Sequence, residues 1–202
     1  MSFYSYLYRP IQSLLIFLLL KKNFTNLIKN YLEKNQFDEI YDIGCSDGKY
    51  ASILDLKKTK YFGYDIDLIN INKAKKKFRR NKNVNFYHKS IDEIIIKNNK
   101  KNIFILNGVF HHLNDKQISN FLKKISSKDK VIALDAFYHK NQNLISVILK
   151  KMDQGKYIRN YEGYKKVLHG FKLTKKISYY MRCYSHLLST RNIDKKNLKF
   201  FD

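Results

Sequence analysis

A chain of 202 residues, 44% hydrophobic and 15% aromatic, carries enough apolar material for one folded domain with a core, which excludes an intrinsically disordered protein. Its net charge of +23 points toward anionic partners, yet 34 Lys, 20 Asn and 23 Ile stand against six Arg, four Ala and one Pro. That is the bias of an AT-rich genome, and a solvated, Lys-coated surface accounts for the charge without nucleic acid. The cysteines, Cys45 and Cys183, form no CxxC pair; no zinc site or disulfide framework is signalled, no metal is expected, and a reducing cytoplasm fits.

In chain order, the first feature is IQSLLIFLLLKK, residues 11–22. Its apolar run, Leu14 to Leu20, is far short of the ~20 residues needed to cross a membrane. Little basic sequence precedes it beyond Arg9 and no small-residue cleavage site follows, so a signal peptide is not expected. With Pro10 in its first turn, a helix is predicted to about Leu32. It either packs on the domain or, flanked by Lys21, Lys22 and Lys29, makes peripheral contact with an anionic membrane.

Short apolar runs then alternate with helical stretches. Strands are expected at 38–43, 60–65, 83–88, 102–107 and 130–136. Between them lie helices at 48–56, 68–80, 91–97 and 115–126. The second places Ile71, Ala74, Lys75 and Phe78 on one face; the last carries Ile118, Phe121, Leu122 and Ile125 at helical spacing. KAKKKFRR (73–80) falls on the exposed side of the second helix and reads as a solvated face. Beyond residue 140 come a helical insertion and two strands near 171–178 and 180–188. This alternation predicts a parallel sheet with helices on both faces. Ligands of such sheets bind beyond the carboxyl ends of the strands, which places Gly44, Asp65, Ser90, Asn107 and Asp135 along one rim.

The stretch IYDIGCSDGKY (40–50) spends two of only seven glycines, Gly44 and Gly48, directly after the first strand. A phosphate-binding P-loop needs GxxxxGK followed by Ser or Thr; here the glycines are one residue too close and Tyr50 replaces the hydroxyl. A dinucleotide fingerprint, GxGxxG, meets Ser46 and Lys49 where glycines are required.

The remaining match is to another loop. YDIGCSDGKY resembles the first motif of the class I S-adenosylmethionine-dependent methyltransferases of the small-molecule type, with an acid ending the first strand and glycines spaced through the turn. YFGYDID is similar to the second motif, whose acid binds the ribose hydroxyls, and Asp65 lies 21 residues after Gly44. VNFYHKSIDEI resembles the third-strand segment that flanks the adenine, and FILNGVFHHL the fourth-strand segment of many small-molecule members. The four motifs cover about residues 38–136 in the family's order.

The resemblance implies a doubly wound, mostly parallel, seven-stranded Rossmann-like α/β sheet whose last strand is antiparallel. The single domain would comprise an N-terminal helical extension (1–36), a cofactor core (37–138), a helical lid (139–170) and C-terminal strands (171–202). It implies S-adenosylmethionine as cofactor. Asp42 would meet the amino group and the backbone of Gly44, Cys45 and Gly48 the methionine moiety. Asp65 and Ile66 would take the ribose side, Ser90 and Ile91 the adenine, and Asn107 the rim between them. Two departures stand out: Ser46 replaces a common glycine, and Ser90 stands where an acid often bonds the adenine amino group. His111, His112 and His139 compete for the role of base. Asp135, Tyr138, Tyr157 and Arg159, the last two within the aromatic stretch 153–166, are expected to contact the acceptor. The activity implied is methyl transfer to a small-molecule, saccharide or lipid-linked acceptor. The alternatives are an RNA methyltransferase using the Lys surface, and a cofactor-binding protein without catalysis.

Overall fold

The computed structural model describes residues 24–97, 100–140, 142, 144–153, 155–177 and 185–193. β1 (Glu39–Ile43) pairs in parallel with β2 (Lys60–Asp65) on one side and β4 (Asn102–Asn107) on the other. β3 (Val84–His88) extends the sheet beyond β2, and β5 (Lys130–Ala136) beyond β4, both in parallel. β6 (Lys172–Ile177) and β7 (Ser185–Arg191) complete it, with β7 antiparallel to both β5 and β6. The order β3-β2-β1-β4-β5-β7-β6 is the mostly parallel, seven-stranded Rossmann-like sheet expected, with an antiparallel last strand.

The central strands are buried on both faces, as parallel strands covered by helices must be. Alternation divides them between two cores. Ile40, Ile103, Ile105 and Ile132 face one; Tyr41, Ile43, Phe104, Leu106 and Val131 face the other. The first core is covered by α1 (Phe24–Lys34), through Leu27, Ile28 and Tyr31, and α2 (Leu68–Phe78), through Ile71 and Ala74. Lys75 of α2, expected on the same face, is exposed. The second core is covered by α3 (Asp115–Lys124), through Ile118 and Phe121, while α4 (Leu144–Met152) leads on to α5 (Tyr161–Val167), whose Tyr164 joins that core. Sharp starts follow from capping: Asp67 accepts from Ile69 N and Asn70 N to open α2, and Asn114 and Gln117 bond each other's backbone N–H to open α3.

Two predicted helices do not form. Residues 48–56 make a chain of turns, in which Ser52 N–H is shared between the carbonyls of Gly48 and Lys49, both at 3.2 Å. The Ser52 hydroxyl takes the same Gly48 carbonyl at 3.1 Å, so the side chain competes with the helical ladder. The helix expected over 91–97 shrinks to a 3₁₀ turn, Ile91–Glu93, because Ile94 turns extended (ψ 132°) and three β-branched residues, Ile94 to Ile96, follow. Near the N-terminus α1 packs on the domain, but residues 11–22 lie outside the described residues, as does Cys183. Among the described residues no helix is long and apolar enough to cross a membrane.

Candidate functional site at the carboxyl ends of the strands

The sheet order reverses direction between β1 and β4, so a crevice is expected beyond their carboxyl ends. The β1 loop enters it through three left-handed residues: Gly44 (φ 72°), Ser46 (φ 50°) and Gly48 (φ 82°). Each glycine is also required by packing. A Cβ on Gly44 would sit 2.8 Å from Val109 Cγ2, and one on Gly48 2.7 Å from Phe86 Cζ. Gly44 N–H and Cys45 N–H both donate to Tyr64 O, at 2.8 and 3.1 Å, which folds the loop back onto β2. Ser46 bears the left-handed cost of roughly 1 kcal/mol that glycine avoids, and its N–H donates to Asp65 Oδ2 at 2.8 Å.

Asp65 is thereby oriented from two sides, because its Oδ1 accepts from Asp67 N–H at 2.8 Å. Each oxygen keeps a second lone pair for a ligand hydroxyl. Ile66, next in sequence, is 77% exposed. Asp42 is buried near the carboxyl end of β1 and accepts from the Tyr61 hydroxyl. Burial pushes its carboxyl up to about 7; the Tyr61 bond pulls it down and the charge of Asp65 adds to the rise. Cys45 is buried, and burial raises its thiol well above the usual range. Asn107, exposed at the end of β4, donates to the Tyr50 hydroxyl at 3.2 Å, and Thr25 of α1 bonds the same hydroxyl. The Ser90 backbone N–H and hydroxyl both donate to Glu93 Oε2 at 2.8 Å, so this side chain is spent on the 3₁₀ turn; Ile91 beside it is buried.

The second half of the rim gathers around His111, in a 3₁₀ turn (Phe110–His112) after β4. Its ring is buried; Nδ1 lies 2.9 Å from Asp135 Oδ1 and Nε2 3.4 Å from Asp153 Oδ1. Burial alone would lower its basicity, but the two carboxylates prevail and hold it at about 9. Both of its ring nitrogens are engaged by carboxylates, whereas His112 is exposed and His139 half-buried. Asp135 is 1% exposed and lies behind His111, where it accepts from the His111 backbone N–H at 3.2 Å as well. It supports the ring from behind.

Arg159 is likewise engaged within the chain. Nε and Nη2 donate to Asp115 Oδ1 at 3.2 and 2.6 Å, Nη2 also to Leu113 O at 2.8 Å, and Nη1 to Phe110 O and Tyr157 O at 3.1 and 3.0 Å. A guanidinium has five N–H donors, and all five are used within the chain. Arg159 is a clamp joining the insertion to the turn after β4. Tyr157, 40% exposed, donates its N–H to His111 O at 2.9 Å, and half-buried Tyr138 donates its own to Arg159 O at 3.0 Å. Both remain on the rim.

Sequence reasoning missed Tyr61, Tyr50, Asp115 and Asp153 as individual residues. Tyr61 and Asp42 sit on adjacent strands, and Asp153 comes to His111 from the far end of α4. No short-range pattern marks either contact.

A family model described as a methyltransferase domain matches residues 40–144, just over half of the chain. A comparison with curated proteins gives no match. Among solved structures, human N-acetylserotonin methyltransferase in complex with SAM aligns with a TM-score of 0.59 at 16% identity, over 84% of this chain and 52% of that one. Mitomycin 7-O-methyltransferase MmcR aligns at 0.63 and 10% identity, over 84% and 53%. The plantazolicin methyltransferase BamL, with a desmethyl-plantazolicin analogue and SAH, aligns at 0.62 and 13%, over 94% and 90%. The chain thus spans about half the length of the first two. At such identities the likeness is one of fold.

Proposed function

The chain belongs to the methyltransferase-domain family, and from that membership we propose that it transfers a methyl group from S-adenosylmethionine to a small-molecule, saccharide or lipid-linked acceptor. The observation that carries the cofactor half of this reading is Asp65. Its carboxylate is oriented by two backbone N–H groups at the end of β2, beside the left-handed turn of the β1 loop.

The residues present fit the group. S-adenosylmethionine supplies an electrophilic methyl on a cationic sulfonium and carries an ammonium and a ribose diol. Asp65 accepts the two ribose hydroxyls through its remaining lone pairs, a charge-assisted contact. Asp42 would hold the ammonium, directly or through water, and the positive charge there would favour its ionised form. The backbone of Gly44 to Gly48 would hold the methionine moiety, and Ile66, which is exposed, would offer an apolar surface to the ribose. Ser90, committed to Glu93, leaves the adenine edge to backbone groups of that turn and to buried Ile91. What the chain contributes beyond this is position: holding donor and acceptor in line can supply about 7–11 kcal/mol of the barrier reduction. For an oxygen acceptor, His112 or His139 takes the proton.

Calorimetric titration of S-adenosylmethionine into wild-type protein and Asp65→Ala tests the reading. Saturable binding that weakens at least about tenfold, or ~1.4 kcal/mol, in a folded variant is expected. A folded wild type that binds no cofactor would overturn it.

A further inference from the structure

His111, His112 and Asp153 each present one ligating atom, and these three atoms lie within 4.8 Å of one another. Of the three, methyl transfer as described above uses only His112, one of two groups proposed to take a proton from an oxygen acceptor; His111 and Asp153 have no part in it. The separation of His111 Nε2 and Asp153 Oδ1, 3.4 Å, is long for an N–H···O bond, whose usual range ends near ~3.2 Å. It is the spacing that two donors adopt around a tetrahedral ion with bonds of about 2.0–2.2 Å.

Both groups are held from behind. His111 Nδ1 lies 2.9 Å from Asp135 Oδ1, which fixes the ring and turns Nε2 toward Asp153. Asp153 Oδ1 accepts from Gly155 N–H at 2.8 Å. Carboxylate support of a ligating histidine is a regular feature of metal sites. The close approach depends on glycine: a Cβ on Gly155 would sit 2.0 Å from His111 Cδ2.

We propose that His111, His112 and Asp153 bind a divalent transition-metal ion, zinc or a neighbour in that series, through His111 Nε2, a ring nitrogen of His112 and the Asp153 carboxylate. Two imidazoles and one carboxylate favour such ions over magnesium or calcium, which take oxygen ligands. Binding through Nε2 requires that nitrogen without its proton, which metal binding releases to solvent. Three protein ligands leave a fourth position for water or an oxygen of a bound molecule, and exposed His112 keeps that side open. The ion also ties the turn after β4 to the segment after α4, closing a long loop.

The test uses the full chain, stripped with a chelator, with zinc measured by calorimetry and cobalt(II) by visible absorption. Wild type, His112→Ala and Asp153→Asn are compared, with circular dichroism to establish folding. One zinc per chain is expected, with a cobalt spectrum of a low-coordinate site, at least tenfold weaker binding in each variant, and no competition from excess magnesium. His112 is exposed, so His112→Ala keeps the fold, and zinc should raise the melting temperature of wild type but not of this variant. Absence of saturable zinc binding in folded wild type, unchanged affinity in His112→Ala, or equal affinity for magnesium would each overturn the inference. S-adenosylmethionine titrated into the same stripped samples separates the two readings. Cofactor binding without any metal binding sinks only the metal site; metal binding without cofactor binding sinks only the proposed function.

Discussion

Asp42 shows how one position can oppose stability while serving the binding proposed for it. Its carboxyl is buried and pushed from its ordinary 3.8 up to about 7, so between these values the folded chain keeps a proton that the unfolded chain has released. The sign is the reverse of the usual acid: the stability of the cofactor-free protein falls as pH rises from about 4 to about 7. Asn at this position keeps an acceptor for Tyr61 and cannot ionise. Asp42→Asn should therefore flatten the pH dependence in that window and raise the melting temperature at pH ~8 by about 4 °C. Its affinity for S-adenosylmethionine should fall. Thermal melts across pH, paired with calorimetry, measure both, and an unchanged slope would mean that the carboxyl ionises at no cost. Arg159 makes the opposite case, a charged residue whose work is internal. Lys cannot reproduce five donors in a planar fork. Arg159→Lys should lose roughly 2 kcal/mol of stability in denaturant titration while cofactor affinity stays the same; a residue that served only an acceptor would leave stability untouched.

Among the elements, the segment between α4 and α5 controls how the insertion meets the sheet. Asp153, Gly155, Tyr157 and Arg159 all contact the turn after β4 or its backbone. Gly155 is the tightest point, and a methyl group there must push His111 or its own chain aside. Gly155→Ala should cost about 1–3 kcal/mol of stability, by the overpacking rule, seen as a lower denaturant midpoint. A midpoint equal to wild type would show that the segment is free to move away from His111. On the other side of the crevice, α1 reaches Tyr50 through Thr25, and Tyr50 meets Asn107, so a helix preceding the sheet helps to set the β1 loop.

Across the whole molecule, the charge of +23 is spread largely over lysines, and the exposed Lys73, Lys75, Lys76 and Lys77 of α2 typify it. These side chains point to solvent on the helix that covers the first core. Raising salt from about 50 to about 300 mM should weaken any binding of this surface to RNA steeply, because neutralised phosphates release counterions. Affinity for S-adenosylmethionine should change less than about twofold over the same range, since the proposed contacts involve two carboxylates and not a run of phosphates. Calorimetry and filter binding at matched salt check both. Methyl transfer to RNA that fell in parallel with binding would favour a nucleic-acid acceptor.

The sheet was legible in the chain because its signals are local. Apolar runs, glycine and aspartate at their ends, and helical periodicity between them are sufficient for the five parallel strands, whereas the last strand, expected at 180–188, is Ser185–Arg191. The acid–glycine loop and Asp65 could be read the same way, since backbone angles and strand spacing constrain short stretches. The failures were also local in origin: a serine competing for a carbonyl dissolved the helix after Gly48, and a β-branched run cut short the one after Ser90. What only the tertiary structure decided is the partner of each polar side chain. Asp135 turned out to brace His111, and Arg159 to clamp a turn, because segments distant in sequence converge on the ends of β4 and β5. A buried charge takes whichever opposite group the packing brings within reach, and no spacing along the chain records that choice.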